Sequence, residues 1–478
     1  METSIVDQVR TYFRNKTLNA VGAERDLYTL LRDGDVGKAL DLMKSRDTDI
    51  DNALREYNPQ LHQVMRRRNK FRKKGEPYIT EKLPRARQRY INEVELFFLL
   101  ANPIRWDKRD GDDEAFRLYT DHLEHIRFDS RMRKAKRLAG AEIESALVYH
   151  IYQEGGEFKF DFFVVARSLG YQIRTLFDQY GNMMAFAYGY MLQRANRQAR
   201  RHWTILTKDW VFDCESRALG WDVDVHPNPI GKIPCSYFLQ PKAWDGAEPR
   251  MEREEILDSK LGDTNNYFSD PIAKASADVI NAMADPDKPG KLIQLSGSQS
   301  QFDYVTPPSD SATRIAEKGD LNDSILFDTF TPDFSLEKMR GLGTLSGAAI
   351  KNAMVLGYIK RENRLEIYEE GVDRFRSVTI ELLKLLHPDK AAALDRLEIG
   401  FEFQEPFDDD NQRKWQSVVQ LYTGGLVSLE TAVHMLALTD APEEETDRIR
   451  MAAMELAAAQ EESKEQGNGK REEKPEDQ

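Results

Sequence analysis

The hydrophobic period of the chain changes several times, and the changes divide it into segments. In "DVGKALDLMKSRDTDIDNALREY" the apolar residues Val36, Ala39, Leu40 and Met43 recur at helical spacing, and residues 1–65 as a whole read as short helices. "RQRYINEVELFFLLANPI" predicts a buried helix ended at Asn102-Pro103, and a second helix follows over roughly 113–145. From residue 147 to 240 the pattern is that of strands. "ALVYHIYQEGGEFKFDFFVVA" places two β-rich runs around Gly155-Gly156, a hairpin pattern that "QIRTLFDQYGNMMAFAYGY" repeats around Gly181-Asn182. "HWTILTKDWVFDCE", "LGWDVDVH" and "IPCSYFLQ" continue it, so an antiparallel β unit is embedded between helical segments.

The helical period returns at residue 251 with "MEREEILDSKLGDTNNYF" and "DPIAKASADVINAM". An irregular piece, "ADPDKPGKLIQLSGSQSQFDYVTPPS", carries one or two strands, of which "KLIQLS" is the most convincing, and another helix runs from near Ser309 to about Phe330. Two helices thus bracket a small β module. A loop with Gly341, Gly343 and Gly347 leads into the longest helical pattern, Ser346 to Leu386, whose Leu365, Tyr368, Val372, Phe375, Thr379, Leu382 and Leu386 form one packing seam. Gly357 and Gly371 lie inside it and would permit a bend, and Pro388 stops it. "RLEIGFEFQEPF" reads as one strand, and "DDDNQRKWQSVVQLYTGGLVSLETAVHMLAL" as two helices around Gly424-Gly425, with Ser428 as N-cap. A last helix, about 443–461, fades into a charged tail expected to be disordered.

At 478 residues the chain can hold two or three domains. Its longest apolar run, "VELFFLLANPI", is too short to span a bilayer, so no membrane partner is expected. The start lacks a basic region followed by an apolar core, so no cleaved signal is expected. Two cysteines, Cys214 and Cys235, rule out a disulfide framework and fit a reducing compartment. The net charge of −13 conceals basic clusters at 66–74, 131–137 and 194–201, against acidic residues concentrated later. Such clusters serve as phosphate contacts or, more commonly, as solvated helix faces.

The glycine-rich loop lies next to Thr344, Ser346 and Lys351, which invites a comparison with phosphate-binding loops. The spacing refuses it. A P-loop needs four residues between its glycines and a Gly-Lys-Ser/Thr ending. Here five residues lie between Gly341 and Gly347, three between Gly343 and Gly347, and no lysine follows until Lys351. The dinucleotide fingerprint needs a preceding strand, where this loop follows a helix. His122 and His125 lack a third metal ligand, and Asp408 to Asp410 suit a helix N-terminus. No catalytic constellation rises above background, and no cofactor is implied.

The order of segments says more. Helix, small β module, helix, a Pro/Gly loop ending in "LSGAAIK", a very long helix, one strand and a helical C-terminal cap resemble the portal proteins of tailed bacteriophages. "RYINEVELFFLLANPIRW", "FTPDFSLEKMRGLGTLSGAAIKNAM" and "IGFEFQEPFDDDNQRKWQSVVQLYTGGLVSLETAVHML" carry the resemblance, which spans about residues 85–440. It implies an α+β fold, mainly helical, with an embedded antiparallel β unit. By position, 1–250 with 347–388 and 389–410 would be the wing, 251–284 and 309–330 the stem helices, 285–308 the clip, 331–346 the tunnel loop, 411–460 the crown helices and 461–478 the tail.

The resemblance further implies a homo-oligomer, usually a dodecamer, at one capsid vertex of the virion, assembled in the host cytoplasm. Double-stranded DNA would pass through its channel, and the terminase large subunit, a head-completion or adaptor protein, and the major capsid and scaffolding proteins would be partners. The tunnel loop would present Pro332, Asp333, Phe334, Ser335, Glu337, Lys338, Arg340, Gly341, Gly343, Thr344, Ser346 and Gly347. Glu362, Glu366, Glu369, Glu370 and Asp373 would form an acidic channel wall that repels phosphates, although the same spacing also describes an ordinary solvated helix face. Leu292, Ile293, Leu295, Phe302 and Tyr304 would make the clip contacts. ATP hydrolysis belongs to the terminase in such systems, so the chain is expected not to be an enzyme. Two other readings compete: a metal-dependent nucleic-acid-processing enzyme using Asp161, Asp178, Asp209 and Asp213, or a monomeric helical adaptor.

Overall fold

The computed structural model describes residues 27–71, 77–193, 199–218, 220–269, 273–275, 302–304, 311–335, 338, 340, 351–407, 411–436 and 442–468. The chain divides into two compact units, Met1–Gly343 with Asn352–Pro406, and Thr344–Lys351 with Phe407–Gln478.

The first unit opens with helical residues 27–32 (α1), Val36–Leu42 (α2) and Asp47–Tyr57 (α3), then the short ribbon β1 (Lys70–Phe71) and β2 (Pro77–Tyr78). The predicted face of α2 is the buried one: Val36, Ala39 and Met43 join Leu27 and Leu31 over a sheet surface made by Ala185, Ala187, Trp203, Ile205, Phe212 and Cys214. The apolar run gives α4 (Arg87–Leu100), and β3 (Ile104–Asp110) follows directly. The helix expected over 113–145 is two helices, α5 (Asp113–His125) and α6 (Phe128–Glu142). Arg127 breaks them apart with a left-handed φ of 51°, a conformation no glycine advertises in the sequence.

The β unit forms two sheets. β4 (Glu144–Glu154) and β5 (Glu157–Val165) make the first hairpin, turned by Gly155 and Gly156 at φ 63° and 91°. After a 3₁₀ turn ending at Gly170, the chain crosses into β6 (Gln172–Phe177), β7 (Met183–Leu192), β8 (Arg200–Thr207), β9 (Trp210–Arg217) and β10 (Gly220–Pro227), an antiparallel meander of five strands. β11 (Cys235–Leu239) returns to pair with β4. The inner faces meet through Ala146, Val148, Val165 and Cys235 on one side and Ile173, Phe186 and Leu206 on the other. Both cysteines are buried and unpaired.

Helix α7 (Glu248–Ser269) leaves this body and α8 (Ser311–Asp328) returns to it. Arg250–Asp328, Lys318–Asp258 (2.7 Å) and Arg314–Thr264 (3.4 Å) cross between them, the order expected of an antiparallel pair. The helical period read through 251–284 stops at Ser269: β12 (Ala273–Ala275) pairs instead with β13 (Phe302–Tyr304). Alternating small and charged residues in "AKA" suit either structure, and pairing across the insertion selects the strand. The "KLIQLS" run, with Leu292, Ile293 and Leu295, lies outside the described residues.

The long helix is α9 (Val355–Leu386), 32 residues or roughly 48 Å. It begins at Val355, preceded by helical residues 351–353 and by Met354, which departs from helical geometry at φ −100°, ψ 12°; the expected start at Ser346 lies outside the described residues. Its seam is as predicted, with Tyr368, Val372, Phe375, Thr379 and Leu382 buried and Leu365 and Leu386 partly so. α10 (Ala391–Asp395) follows, and then the predicted strand, β14 (Glu398–Phe403), which pairs with β3.

The second unit comprises α11 (Asn411–Thr423), α12 (Leu429–Leu436) and α13 (Pro442–Asn468). Ser428 caps α12 as predicted, its hydroxyl accepting from Thr431 N at 3.2 Å. α13 continues past the expected end at 461 to Asn468, through "ESKEQ", whose Glu, Lys and Gln are good helix formers. No described helix is long and apolar enough to cross a membrane.

The two glycines of α9 lie where neighbouring rings press directly on the helix backbone. A Cβ on Gly357 would stand 2.2 Å from the Phe98 ring, and one on Gly371 2.1 Å from the Phe238 ring. Both rings are at most 1% exposed, and Phe238 is also stacked on Tyr368 at 5.1 Å. Glycine here lets the helix lie directly against α4 and β11. Alanine would gain about 1 kcal/mol in helix propensity, but overpacking a close-packed site costs about 1–3 kcal/mol. Gly371→Ala is therefore expected to lower the melting temperature of the full chain, and a rise in thermal melts would show that the Phe238 ring can move aside.

Candidate functional site

The glycine-rich loop is the element the sequence singles out, and its root is well defined. Chain leaves α8 through Phe330, in the left-handed region at φ 48°. The hydroxyls of Thr329 and Thr331 lie 2.9 Å apart, both buried. Tyr90 on α4 then clamps the next residues: its hydroxyl donates to Pro332 O and accepts from Phe334 N, each at 2.8 Å. Asp333 accepts from Ser335 N at 2.8 Å, an Asx turn. The Phe334 ring lies 6.1 and 6.3 Å from those of Phe97 and Phe98. Pro332 and Phe334, expected to belong to the moving stretch, are thus held against the body, with Pro332 buried and Phe334 half-buried. Lys338 and Arg340 are exposed, while Glu337, Gly341, Gly343, Thr344, Ser346 and Gly347 lie outside the described residues.

Beneath this root sits a buried charge cluster. Glu95, fully enclosed on α4, receives Lys136 Nζ of α6 at 2.5 Å and Gln240 Nε2 at 2.8 Å on Oε1. Lys360 and Arg364 of α9 face its Oε2 at 3.5 and 3.4 Å. Gln240 in turn accepts from the Tyr368 hydroxyl at 2.7 Å. Lys360 Nζ donates to Ala243 O at 3.0 Å and reaches Thr331 Oγ1 at 3.4 Å, which ties the cluster to the loop root. Burial by itself would raise the Glu95 carboxyl, but Lys136, Lys360 and Arg364 outweigh it and hold the group well below the usual carboxylate range. Burial lowers Lys136 and brings Lys360 down to about 8, with Glu95 opposing both shifts.

A second polar network fixes the start of α7. His62 Nδ1 and Nε2 lie 2.6 Å from Glu255 Oε1 and from Glu56 O. Both partners are acceptors, so only the imidazolium satisfies both. Arg85 N donates to the same Glu255 oxygen at 2.8 Å, Arg85 and Arg87 share Glu254, and Arg67 pairs with Asp263 at 2.7 Å.

The acidic residues Glu362, Glu366, Glu369, Glu370 and Asp373 all lie on the exposed side of α9. Arg361 pairs with Glu362 at 2.7 Å and Arg376 with Asp373 at 2.5 Å. Phe302 and Tyr304 are in β13.

Most basic residues of the cluster 131–137 are engaged by the protein's own carboxylates and carbonyls. Arg131 holds Asp161, Arg133 donates to the carbonyls of Leu100 and Ala101 at the end of α4, Lys136 pairs with Glu95 and Arg137 with Glu93; Lys134 is exposed. Of 66–74, Arg67 belongs to the α7 network while Arg66 and Arg68 are exposed. Of 194–201, Arg200 pairs with Glu215 at 2.7 Å.

The carboxylates considered for catalysis serve separate structural ends. Asp161 is bound by Arg131, Asp178 accepts from Tyr180 N and Asn182 N in its hairpin turn, Asp213 accepts from Thr204, and the Asp209 carbonyl accepts from Asn228 N. Among the described residues no three His, Cys, Asp or Glu side chains are grouped to hold a metal. His122 packs against Phe160 at 4.0 Å, and burial lowers its pKa to about 4, so it is neutral.

Sequence reasoning missed Glu95, Lys136, Lys360, Arg364, Tyr90 and His62. The available sign was a charge inside an apolar stretch, Glu95 in "VELFFLL" and Lys360 one turn from the seam.

The structure is a mixed one, in which helices, among them the long α9 and the α7–α8 pair, pack with antiparallel sheets. The chain matches the phage portal protein family, SPP1 Gp6-like, over residues 40–462, and belongs to that family. Two solved structures show similarity to the chain. "Neck of native GTA particle computed with C12 symmetry" is 11% identical, covers 74% of this chain and 91% of that chain, and gives a TM-score of 0.39. "Neck of empty GTA particle computed with C6 symmetry" is 11% identical, covers 83% and 95%, and gives 0.44. No curated protein matches the chain.

Two outcomes are expected. Glu95→Gln leaves Lys136, Lys360 and Arg364 without their counter-charge, and removing one partner of a buried pair costs about 3–5 kcal/mol; thermal melts should show a large loss. For His62, burial lowers the pKa but Glu255 and the Glu56 carbonyl more than offset it, so the folded value is raised above the ordinary 6.5. Its stabilisation is complete below the ordinary value and lost as pH rises through the folded one. The melting-temperature gap between wild type and His62→Gln should therefore narrow from pH 6 to pH 9, and a gap that widens would contradict the assigned protonation.

Proposed function

We propose that the chain is the subunit of a portal ring at one capsid vertex of a phage-like virion, the channel through which double-stranded DNA enters and leaves. The family match over residues 40–462 carries this reading. The fold gives it physical support. A helix pair that leaves the body and returns encloses an insertion whose ends are drawn together by β12 and β13, which suits a small module completed by neighbouring copies in a closed head-to-tail ring. We take the ring to be a dodecamer.

In this reading residues 251–284 and 309–330 are the stem, 285–308 the clip and 411–460 the crown. The tunnel loop then works from a fixed root. Thr331 to Phe334 are held by Tyr90 and Lys360, and glycines 341, 343 and 347 beyond them supply the backbone freedom that lets the remainder track moving DNA. Exposed Glu366, Glu369 and Glu370 on α9 would keep a channel wall negative, so that DNA slides without adhering. Leu292, Ile293, Leu295, Phe302 and Tyr304 of the clip would pair across subunits and present the terminase large subunit, and later the head-completion protein, with one continuous collar. Capsid and scaffolding proteins would meet the outer surface of the ring.

The experiments are direct. Purified protein is expected as annular particles with a central channel, and mass measurements that give monomers or dimers across salt and concentration would refute the ring. Gly341→Pro or Gly343→Pro should leave rings intact while DNA packaging drops and empty capsids still form; unimpaired packaging would remove the loop from the mechanism. Deleting 290–304 should weaken the ring and abolish terminase binding, measured by sedimentation and pull-down.

A further inference from the structure

Strand register lines up Tyr188, Thr204, Asp213 and Asp224 in one row across β7, β8, β9 and β10, with Tyr190, His202, Glu215 and Asp222 in the next. At one end of these rows the Tyr188 and Tyr190 rings are nearly parallel, at 14° and 6.4 Å. Tyr171 stands at 70° to each, 6.2 and 5.8 Å away, and His202 lies 4.9 Å from Tyr190. All four side chains are half-buried.

At the other end four carboxylates share one surface. Arg200 takes Glu215 and Arg217 takes Asp222, at 2.7 and 2.6 Å. Asp213 and Asp224, directly opposite each other, have no such partner among the described residues. Asp213 accepts from the Thr204 hydroxyl at 2.8 Å with His202 Nε2 at 3.8 Å, and Asp224 has His226 Nε2 at 3.3 Å. Like charges directly opposed in an antiparallel pair destabilise it, so this arrangement is a cost to the fold that no described lysine or arginine relieves. Asp213 also acts on the rings: after burial, it is the next influence raising the Tyr190 hydroxyl. His202 Nδ1 is buried without a hydrogen-bond partner.

We propose that this surface binds a guanidinium group, an arginine side chain of another protein, which stacks on the Tyr190–His202 platform and directs its N–H groups at Asp213, with Asp224 on the next strand adding a second negative charge. Aromatic faces attract cations, and the flat arginine fork both stacks and bonds the two oxygens of a carboxylate through paired N–H groups, a geometry the lysine ammonium does not match. Successive strands lie about 4.8 Å apart, so β7, which carries Tyr190, and β9, which carries Asp213, are separated by about the span of a guanidinium that stacks on one side and bonds on the other. β10 is paired on one side only among the described strands, which leaves room for the segment that carries the arginine. This inference does not depend on the ring reading.

The test titrates the full-length protein with a fluorescent peptide, acetyl-Ser-Val-Arg-Val-Ser amide, and with its lysine and citrulline counterparts. The arginine peptide should bind, the lysine peptide more weakly, and the citrulline peptide at least tenfold more weakly. Tyr190→Ala and the double variant Asp213→Asn with Asp224→Asn should each lose at least tenfold, whereas Tyr190→Phe retains binding. The double variant should melt at or above the wild-type temperature, because relieving the repulsion cannot harm the fold. Equal binding of the citrulline peptide, full binding by the double variant, or a melting temperature several degrees below wild type would each overturn the proposal. A fall in particle mass on making the double variant would place the cation on a second copy of this chain and overturn the assignment to another protein.

Discussion

Glu95 is the constraint around which the larger unit is arranged. A carboxylate with no exposed surface is tolerable only if cations reach it, and here they come from two helices, Lys136 on α6 and Lys360 and Arg364 on α9. Gln240, next to β11, donates to it and accepts from Tyr368, which joins the sheet edge to the same point. Helices that are far apart in sequence are therefore fixed in rotation as well as in position, since turning any of them would strand a buried charge.

The same cluster explains why the loop root is rigid. Lys360 spends its remaining hydrogen bonds on Ala243 O and Thr331 Oγ1, the first leading into α7 and the second into the glycine-rich segment. The segment Thr331–Phe334, the chain leading into α7 and the helix α9 are thus tied to one carboxylate. The His62–Glu255 network repeats the device at the start of α7, where Arg85 and Arg87 converge on neighbouring carboxylates. These interactions also account for basic residues that, as sequence, fitted a solvated helix face or a phosphate contact: Arg131, Arg133, Lys136 and Arg137 hold the protein's own carboxylates and carbonyls.

Close packing does the rest. Gly357 and Gly371 allow α9 to touch Phe98 and Phe238 directly, and Phe128, Tyr149, Phe162 and Phe375 stack around its middle, with Phe128 and Phe375 only 4.4 Å apart. A helix of 32 residues anchored this way behaves as a beam.

The sequence by itself determined the periodic elements: the α9 seam, the hairpins at Gly155-Gly156 and Gly181-Asn182, the Ser428 cap and the Pro388 stop. Each is governed by neighbours within a few residues, which is why spacing was sufficient to read them. The order of those elements was also enough to reach the portal family. Tertiary structure decided what depends on distant partners. The break at Arg127, the pairing of Ile104–Asp110 with Glu398–Phe403, and the strand at Ala273–Ala275 all answer to contacts across long stretches of chain. So do the close approaches at the glycines of α9, read as permitting a bend, and the role of Glu95, whose partners lie 41 and 265 or more residues away along the sequence. A single charge in an apolar run says that something must neutralise it; only the folded chain supplies the cation.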